Sequence, residues 1–214
     1  FKTPIATISL AVDSMMHPSI RKDEKELERF GDIIKKENQR MNNQIESVLN
    51  AARFEKEEID FKKETISLHR LFNELSENFR LNINSNLGDI KLNLSASNDQ
   101  IEGDRMHLYN AFRNIIENGI KFSKNAFRIQ IETNSKNEFI QIKISDKGIG
   151  MDKETQKRAF DRFYRKTEGD LHTTKGFGLG LNYVKEVLSR LGGSIQIKSK
   201  LGEGTTFIIL IPTK

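Results

Sequence analysis

Three polar side chains in the stretch NIIENGIKFS have the spacing to act on one ligand. Asn114, Asn118 and Lys121 lie four and three residues apart, which on a helix places them on one face. A carboxamide oxygen there can ligate Mg²⁺, and the ammonium can reach a phosphate. A solvated polar stripe has the same composition, so this group decides nothing alone. The second group is Asp146-Lys-Gly148-Ile-Gly150. A carboxylate at a strand end can accept a hydrogen bond from the exocyclic amine of adenine, while the glycines let a ring approach the backbone. A plain glycine turn after a strand is the competing reading.

Two further groups follow. Phe160-Asp-Arg162-Phe163-Tyr-Arg165 runs into the polar segment 166–175. Aromatics beside a basic loop suggest a lid: Phe160 and Phe163 dock while Arg162, Arg165 and Lys175 approach phosphates. An amphipathic helical turn packed in a core is the alternative. Gly176-Phe-Gly178-Leu179-Gly180-Leu181 then opens a helix, whose free N–H groups and dipole favour an anion. The spacing GxGxG after a basic loop is not the dinucleotide-binding fingerprint. No GxxxxGK[ST], HRD or DFG occurs, which excludes a P-loop protein and the Ser/Thr/Tyr kinase fold.

These groups require a scaffold, and the apolar pattern supplies one in two parts. Leu27, Phe30, Ile34, Met41, Ile45, Val48 and Ala52 draw one stripe along a long helix, which Asp23 can cap. A shorter stripe, Ile5, Ile8, Val12 and Met15, precedes it, and Pro18 breaks the helix at His17. Two helices of such unequal length predict a hairpin over 1–60 that dimerises into a four-helix bundle. A charged linker is expected over 55–64. The part 61–214 reads as strands at 66–68, 90–94, 127–132, 139–145, 194–199 and 205–211, with helices at 71–79, 104–122 and 179–191 and a turn at 134–137. The fold class is therefore α+β: a helical hairpin followed by an α/β sandwich with one mixed sheet.

The 214 residues carry 35 Lys plus Arg against 30 Asp plus Glu, a net charge of +5. The excess sits in 61–214, at +7, while 1–60 carries −2, so an anionic ligand or partner belongs to the second part. The chain has no cysteine, which rules out disulfides, iron–sulfur clusters and thiolate zinc. Its four scattered histidines form no HxxxH pair, and no apolar run is long enough to span a membrane. A nucleic-acid module is disfavoured because the basic residues gather in one loop without interleaved surface aromatics.

Taken together and in order, the four groups resemble the boxes of the two-component sensor histidine kinases. That family shares its Bergerat-type ATP-binding fold with Hsp90-, gyrase- and MutL-type ATPases. NIIENGIKFS is similar to the N box, DKGIG to the G1 box, FDRFYR to the F box and GFGLGL to the G2 box. Gly202-Glu-Gly204-Thr205 resembles the final glycine turn near the adenine, and Phe1-Lys-Thr3-Pro the tail of the H box. The resemblance implies ATP and Mg²⁺ as cofactors, with Asn118 as the metal ligand, Asn114 and Lys121 assisting, and Asp146 reading adenine. Phe122, Gly148, Gly150, Gly176, Gly178, Leu179, Gly180 and Thr205 would shape the pocket and its lid. Thr3 would align water for dephosphorylating a response regulator.

The implied reaction moves the γ-phosphoryl of Mg-ATP to a histidine and on to an Asp of the regulator's receiver domain. The implied assembly is a cytoplasmic homodimer through the hairpin, leaving room for a membrane anchor upstream. Gly119 stands where Ala is common and Phe122 where Tyr is common. The acceptor histidine would fall two residues before Phe1, so this chain is expected to bind Mg-ATP without phosphorylating itself. An ATPase of the Hsp90 and gyrase class would need a Glu where Asn114 stands, since a neutral amide cannot take a proton. A dimeric scaffold with a vestigial nucleotide site is the non-enzymatic rival.

Overall fold

The computed structural model describes residues 2–55, 61–82, 87–165 and 178–214, with only the backbone of Arg40, Asn43, Gln44, 46–55 and Asn82. It falls into two compact units, Phe1–Glu57 and Glu58–Lys214. In the first, α1 (Lys2–Met16) and α2 (Glu24–Glu55) pack as a hairpin. Asp23 Oδ1 accepts from the Lys25 and Glu26 N–H groups at 3.1 and 3.2 Å, the expected cap of α2. The expected linker start is overturned at Glu55, which closes α2; residues 56–60 lie outside the described residues.

The buried strip of α1 also differs from the expected one. Pro4 and Ala11 face inward with Ile8 and Met15 of the expected stripe half-buried beside them, whereas Ile5 and Val12 of that stripe are 49% and 44% exposed, as is Met16 at 65%. The two strips run side by side with the same seven-residue spacing, one residue apart around the helix. Small Pro4 and Ala11 let α2 approach, and one neighbouring helix covers only one strip.

The second unit begins with β1 (Glu64–Ser67), α3 (Leu68–Asn82), β2 (Gly88–Leu94), β3 (Gln100–Gly103) and α4 (Arg105–Lys121). It continues with β4 (Phe127–Lys136), β5 (Phe139–Asp146), α5 (Lys153–Arg158), α6 (Gly180–Arg190), β6 (Ser194–Lys200) and β7 (Gly204–Pro212). Five strands in the order β2-β4-β5-β7-β6 form a mixed sheet in which only the β2–β4 pair is parallel. Ile129, Ile131, Ile142, Ile144, Phe207 and Ile209 alternate onto one face and are buried with Phe112, Ile115 and Ile116 of α4 and Val184 and Leu188 of α6. This is the sandwich that the period-two pattern predicts.

Three details depart from expectation. Leu68 opens α3 instead of ending a strand, because Ser67 Oγ accepts the Arg70 N–H and Asp99 Oδ2 the His69 N–H. The expected turn at 134–137 is strand through Lys136, and the reversal falls at Asn137, which takes φ 54°. A two-stranded β1–β3 ribbon joins the fold as well; four-residue strands carry too little alternation to be legible.

The start of α4 is fixed by a compact polar cluster. Asp104 caps the helix through the His107 N–H at 3.0 Å and accepts the Lys62 N–H at 3.1 Å through its other oxygen. Phe61 stacks on the His107 ring at 5.3 Å, and Tyr183 Oη lies 2.9 Å from His107 Nδ1, which joins α6 to α4. Burial, then the Arg190 charge, hold His107 below its ordinary 6.5, against the pull of Asp104. Unfolding therefore lets His107 gain a proton. Its contribution to stability is complete above 6.5 and is lost as pH falls from there through its lower folded value. We expect urea midpoints of the chain to fall on acidification from about pH 7.5 to 5.5, with a slope not above about 1.4 kcal/mol per pH unit from this group. His107→Asn should flatten that slope; an unchanged slope would show that His107 is not the group responsible.

Candidate functional site

The second unit gathers its chemistry at the end of β5. Asp146 closes that strand, and its Oδ1 accepts two backbone N–H groups, from Gly148 at 2.8 Å and Thr205 at 3.2 Å. Among the described residues no donor reaches Oδ2, so that oxygen can accept from a ligand. Burial raises the Asp146 carboxyl above the usual range, and the two N–H groups oppose the rise.

Glycines permit this crowding. A Cβ on Gly204, at φ 102°, would fall 2.1 Å from the Asp146 carbonyl oxygen. One on Gly148 would meet the Phe122 carbonyl at 2.7 Å. The Phe122 carbonyl accepts the Ile149 N–H at 3.0 Å, tying the end of α4 to the loop after β5. Gly119 brings α4 closest: a Cβ there would stand 3.2 Å from both Asp146 Cβ and Ile129 Cδ1. The departure from the family's usual Ala thus has a structural counterpart in the close packing of α4 on Asp146.

Asn114, Asn118 and Lys121 share one face of α4, as their spacing requires. The two amides are half-buried and make no hydrogen bond to any described residue. Asn114 Oδ1 lies 3.3 Å from the Cβ position of Gly180, the first residue of α6. Lys121 Nζ sits 4.7 Å from the Phe122 ring centroid. Partial desolvation, then the Arg165 guanidinium, hold its ammonium below the usual range. Two cations kept near each other suit a polyanion.

The segment after α5 is tied to the start of α6. Asn182 Nδ2 donates to the Phe160 carbonyl at 3.1 Å, and Arg162 Nε to Asn182 Oδ1 at 3.3 Å. The Phe163 N–H donates to the Gly178 carbonyl at 3.1 Å, clasping the two ends of the intervening stretch. Phe163 does not dock as expected: it takes φ 62° and is 67% exposed, because the clasp turns its side chain outward. Leu179 is buried as the N-cap residue of α6. Lys175, Gly176 and the run 166–177 lie outside the described residues.

Sequence reasoning missed Ser199. Its hydroxyl contacts Met151, Gly204 and Thr205, and the only signal was its place in a strand beside a glycine turn. No group of three or more His, Cys, Asp or Glu able to hold a metal occurs among the described residues. A lone amide such as Asn118 suits a Mg²⁺ whose other ligands are phosphates and water.

Residues 103–214 match the family described as histidine kinase-, DNA gyrase B-, and HSP90-like ATPase. The chain belongs to that family, as the ordered boxes predict. Among its relatives, sensor protein RprX of Bacteroides fragilis is 36% identical over 214 residues, 99% of this chain and 41% of RprX. The chain thus spans less than half of that relative. Histidine kinase AdeS of Acinetobacter baumannii superposes with a TM-score of 0.74 at 18% identity, over 100% of this chain and 96% of that one. Histidine kinase ThkA, in its complex with response regulator protein TrrA, gives 0.74 at 19% identity over 100% of this chain and 58% of that one. At such identities these structures speak for the fold. They show that the chain shares the fold of histidine kinases, while the family match assigns residues 103–214 to an ATPase domain.

The glycine turn before β7 offers a direct test of the site's packing. Gly202→Ala, at φ 82° with open space around it, should cost only the backbone strain of about 1–2 kcal/mol. Gly204→Ala must also displace the Asp146 carbonyl and should cost clearly more in urea unfolding. Equal losses would mean that the close approach at Gly204 is not a real constraint.

Proposed function

We propose that this chain binds Mg-ATP in its second unit and belongs to a protein that transfers the γ-phosphoryl group to a histidine and then to an Asp of a response regulator. The observation that carries the reading is the half-buried Asp146, with one oxygen held by the Gly148 and Thr205 N–H groups and the other without a donor among the described residues. That oxygen accepts the adenine amine, while Gly148, Gly150 and Phe122 line the ring's approach. Asn118 would hold Mg²⁺, which supplies charge neutralisation across the phosphates. Asn114, Lys121 and Arg165 meet the phosphate oxygens, and Arg162 with the glycines 178 and 180 borders them. Catalysis then rests on positioning and charge, as in phosphoryl transfer generally.

Hydrolysis by water is the weaker reading. Asn114 cannot take a proton, and Glu117 on the same helix is engaged by Arg113, with Nε 2.7 Å from its Oε1. Among the described residues no helix is long and apolar enough to cross a membrane. A cytoplasmic setting follows from the proposed use of ATP and a receiver-domain partner, the kind of partner ThkA has in its complex. Thr3, exposed in the first turn of α1, keeps the dephosphorylation role that the resemblance implies.

We further infer that the first unit dimerises. Among its described side chains only Pro4 and Ala11 are buried, while Ile5, Val12, Met16 and Ile45 stay exposed. A hairpin this poorly buried lacks the apolar area to stand alone, and pairing with a second copy supplies it.

Two measurements check these statements. Asp146→Asn should lose about 1–3 kcal/mol of ATP binding in calorimetry, because its amide turns a donor on the adenine amine. Parent-like affinity would remove the adenine assignment. In the same titrations Asn118→Asp should keep some Mg²⁺ dependence and Asn118→Ala should not. Light scattering should give a dimer for the parent and a monomer for Val12→Lys combined with Ile45→Lys, both exposed in the hairpin and so compatible with its folding. A monomeric parent would leave the dimer without support.

A further inference from the structure

A polar row crosses three strands on the helix side of the sheet, and one of its members is not used by the function above. Ser199 on β6 stands opposite Thr205 on β7 in the strand register. Thr205 in turn follows the Ser145–Thr206 pairing by one step and donates its N–H to Asp146 on β5. The Ser199 hydroxyl has three neighbours. It accepts the Met151 N–H at 2.8 Å, and it lies 2.8 Å from the Gly204 carbonyl oxygen and 2.9 Å from Thr205 Oγ1.

A serine hydroxyl has one hydrogen and two lone pairs. The Gly204 carbonyl can only accept, so the Ser199 hydrogen goes there. The Met151 N–H occupies one lone pair. The contact with Thr205 must then be donated by Thr205, whose own hydrogen goes to the remaining lone pair. Thr205 Oγ1 is left facing any other group purely as an acceptor. The cluster is braced from behind, since Gln156 Nε2 donates to both the Met151 and Ser199 carbonyls at 3.0 Å.

We propose that Ser199 is a positioning residue that sets base specificity: by holding the Thr205 hydroxyl hydrogen, it makes the Asp146–Thr205 edge accept hydrogen bonds and never donate them. An acceptor-only edge fits the exocyclic amine of adenine and repels the carbonyl that guanine carries at the same ring position. A threonine hydroxyl free to rotate would turn its hydrogen toward that carbonyl and weaken the rejection. The inference rests on the adenine site proposed above and adds the polarity by which that site chooses its base.

The test is calorimetric titration of this chain with Mg-ATP and with Mg-GTP, for the parent, Ser199→Ala and Ser199→Thr. The parent should prefer ATP. Ser199→Ala should narrow the ATP-to-GTP affinity ratio by about tenfold, chiefly through tighter GTP, and Ser199→Thr should restore it. Ser199→Cys, which keeps the volume with a weaker hydrogen-bonding group, should narrow the ratio too and serves if the alanine variant does not fold. A ratio unchanged in Ser199→Ala or Ser199→Cys overturns the proposal, even if both affinities fall together, because that is the mark of a merely structural hydroxyl. A parent that binds ATP without preference over GTP overturns it as well. A parent that binds neither nucleotide overturns the adenine site itself.

Discussion

The site depends on keeping one carboxylate ionised in a half-buried place. Burial drives the Asp146 carboxyl toward its neutral form, and only the two N–H groups of Gly148 and Thr205 oppose that. Those donors come from different segments, one two residues along and the other across the sheet on β7. Both can reach the same oxygen only if three backbone stretches crowd together, which is where glycine is required. At Gly204 and Gly148 a side chain would collide with the Asp146 carbonyl or with Phe122. The glycines of this region therefore serve an electrostatic end as much as a conformational one.

The same crowding connects α4 to the sheet. Gly119 lets the helix lie against Asp146, and the Phe122 carbonyl takes the Ile149 N–H, so the two ends of the site share one backbone frame. Asn114 and Asn118 ride on that frame with their amides uncommitted among the described residues. In a protein interior an amide without partners is costly, and half-burial at a cleft edge is where the cost is tolerated because water or ligand can reach it. Polar groups kept unpaired on a rigid helix are preorganised donors and acceptors, which is what phosphate and metal binding ask of the protein.

Most of this frame was legible because its signals are local. Isoleucines alternating along β4, β5 and β7 can satisfy only a sheet buried on one face. Asn114, Asn118 and Lys121 share a face by helical arithmetic, and Asp23 before α2 reads as a cap. What escaped was non-local. The two strips of α1 are equally apolar in sequence, and choosing the buried one requires knowing which neighbour small Pro4 and Ala11 admit. Phe163 looks like an anchor by type, yet its backbone bond to Gly178 puts it outside. Ser199 carries only a faint mark, its place in a strand beside a glycine turn: its contacts come from Gly204 and Thr205 across that turn and from Met151, 48 positions earlier.

The two units solve the burial problem in opposite ways, and that difference bears on how such a protein can work. The second unit buries phenylalanines and branched aliphatics from α3, α4, α6 and every strand of the large sheet except the edge strand β6, so its site is held by a core that does not depend on other chains. The first buries almost nothing among its described side chains and leaves a heptad-spaced apolar strip outside. A rigid unit can keep Asp146 and the α4 amides in place through a reaction cycle. A marginal one can repack at small cost, since few contacts must break. Change in such a chain is therefore cheapest in the hairpin, while the arrangement around Asp146 and Phe122, locked by the Gly148, Thr205 and Ile149 N–H bonds, stays constant.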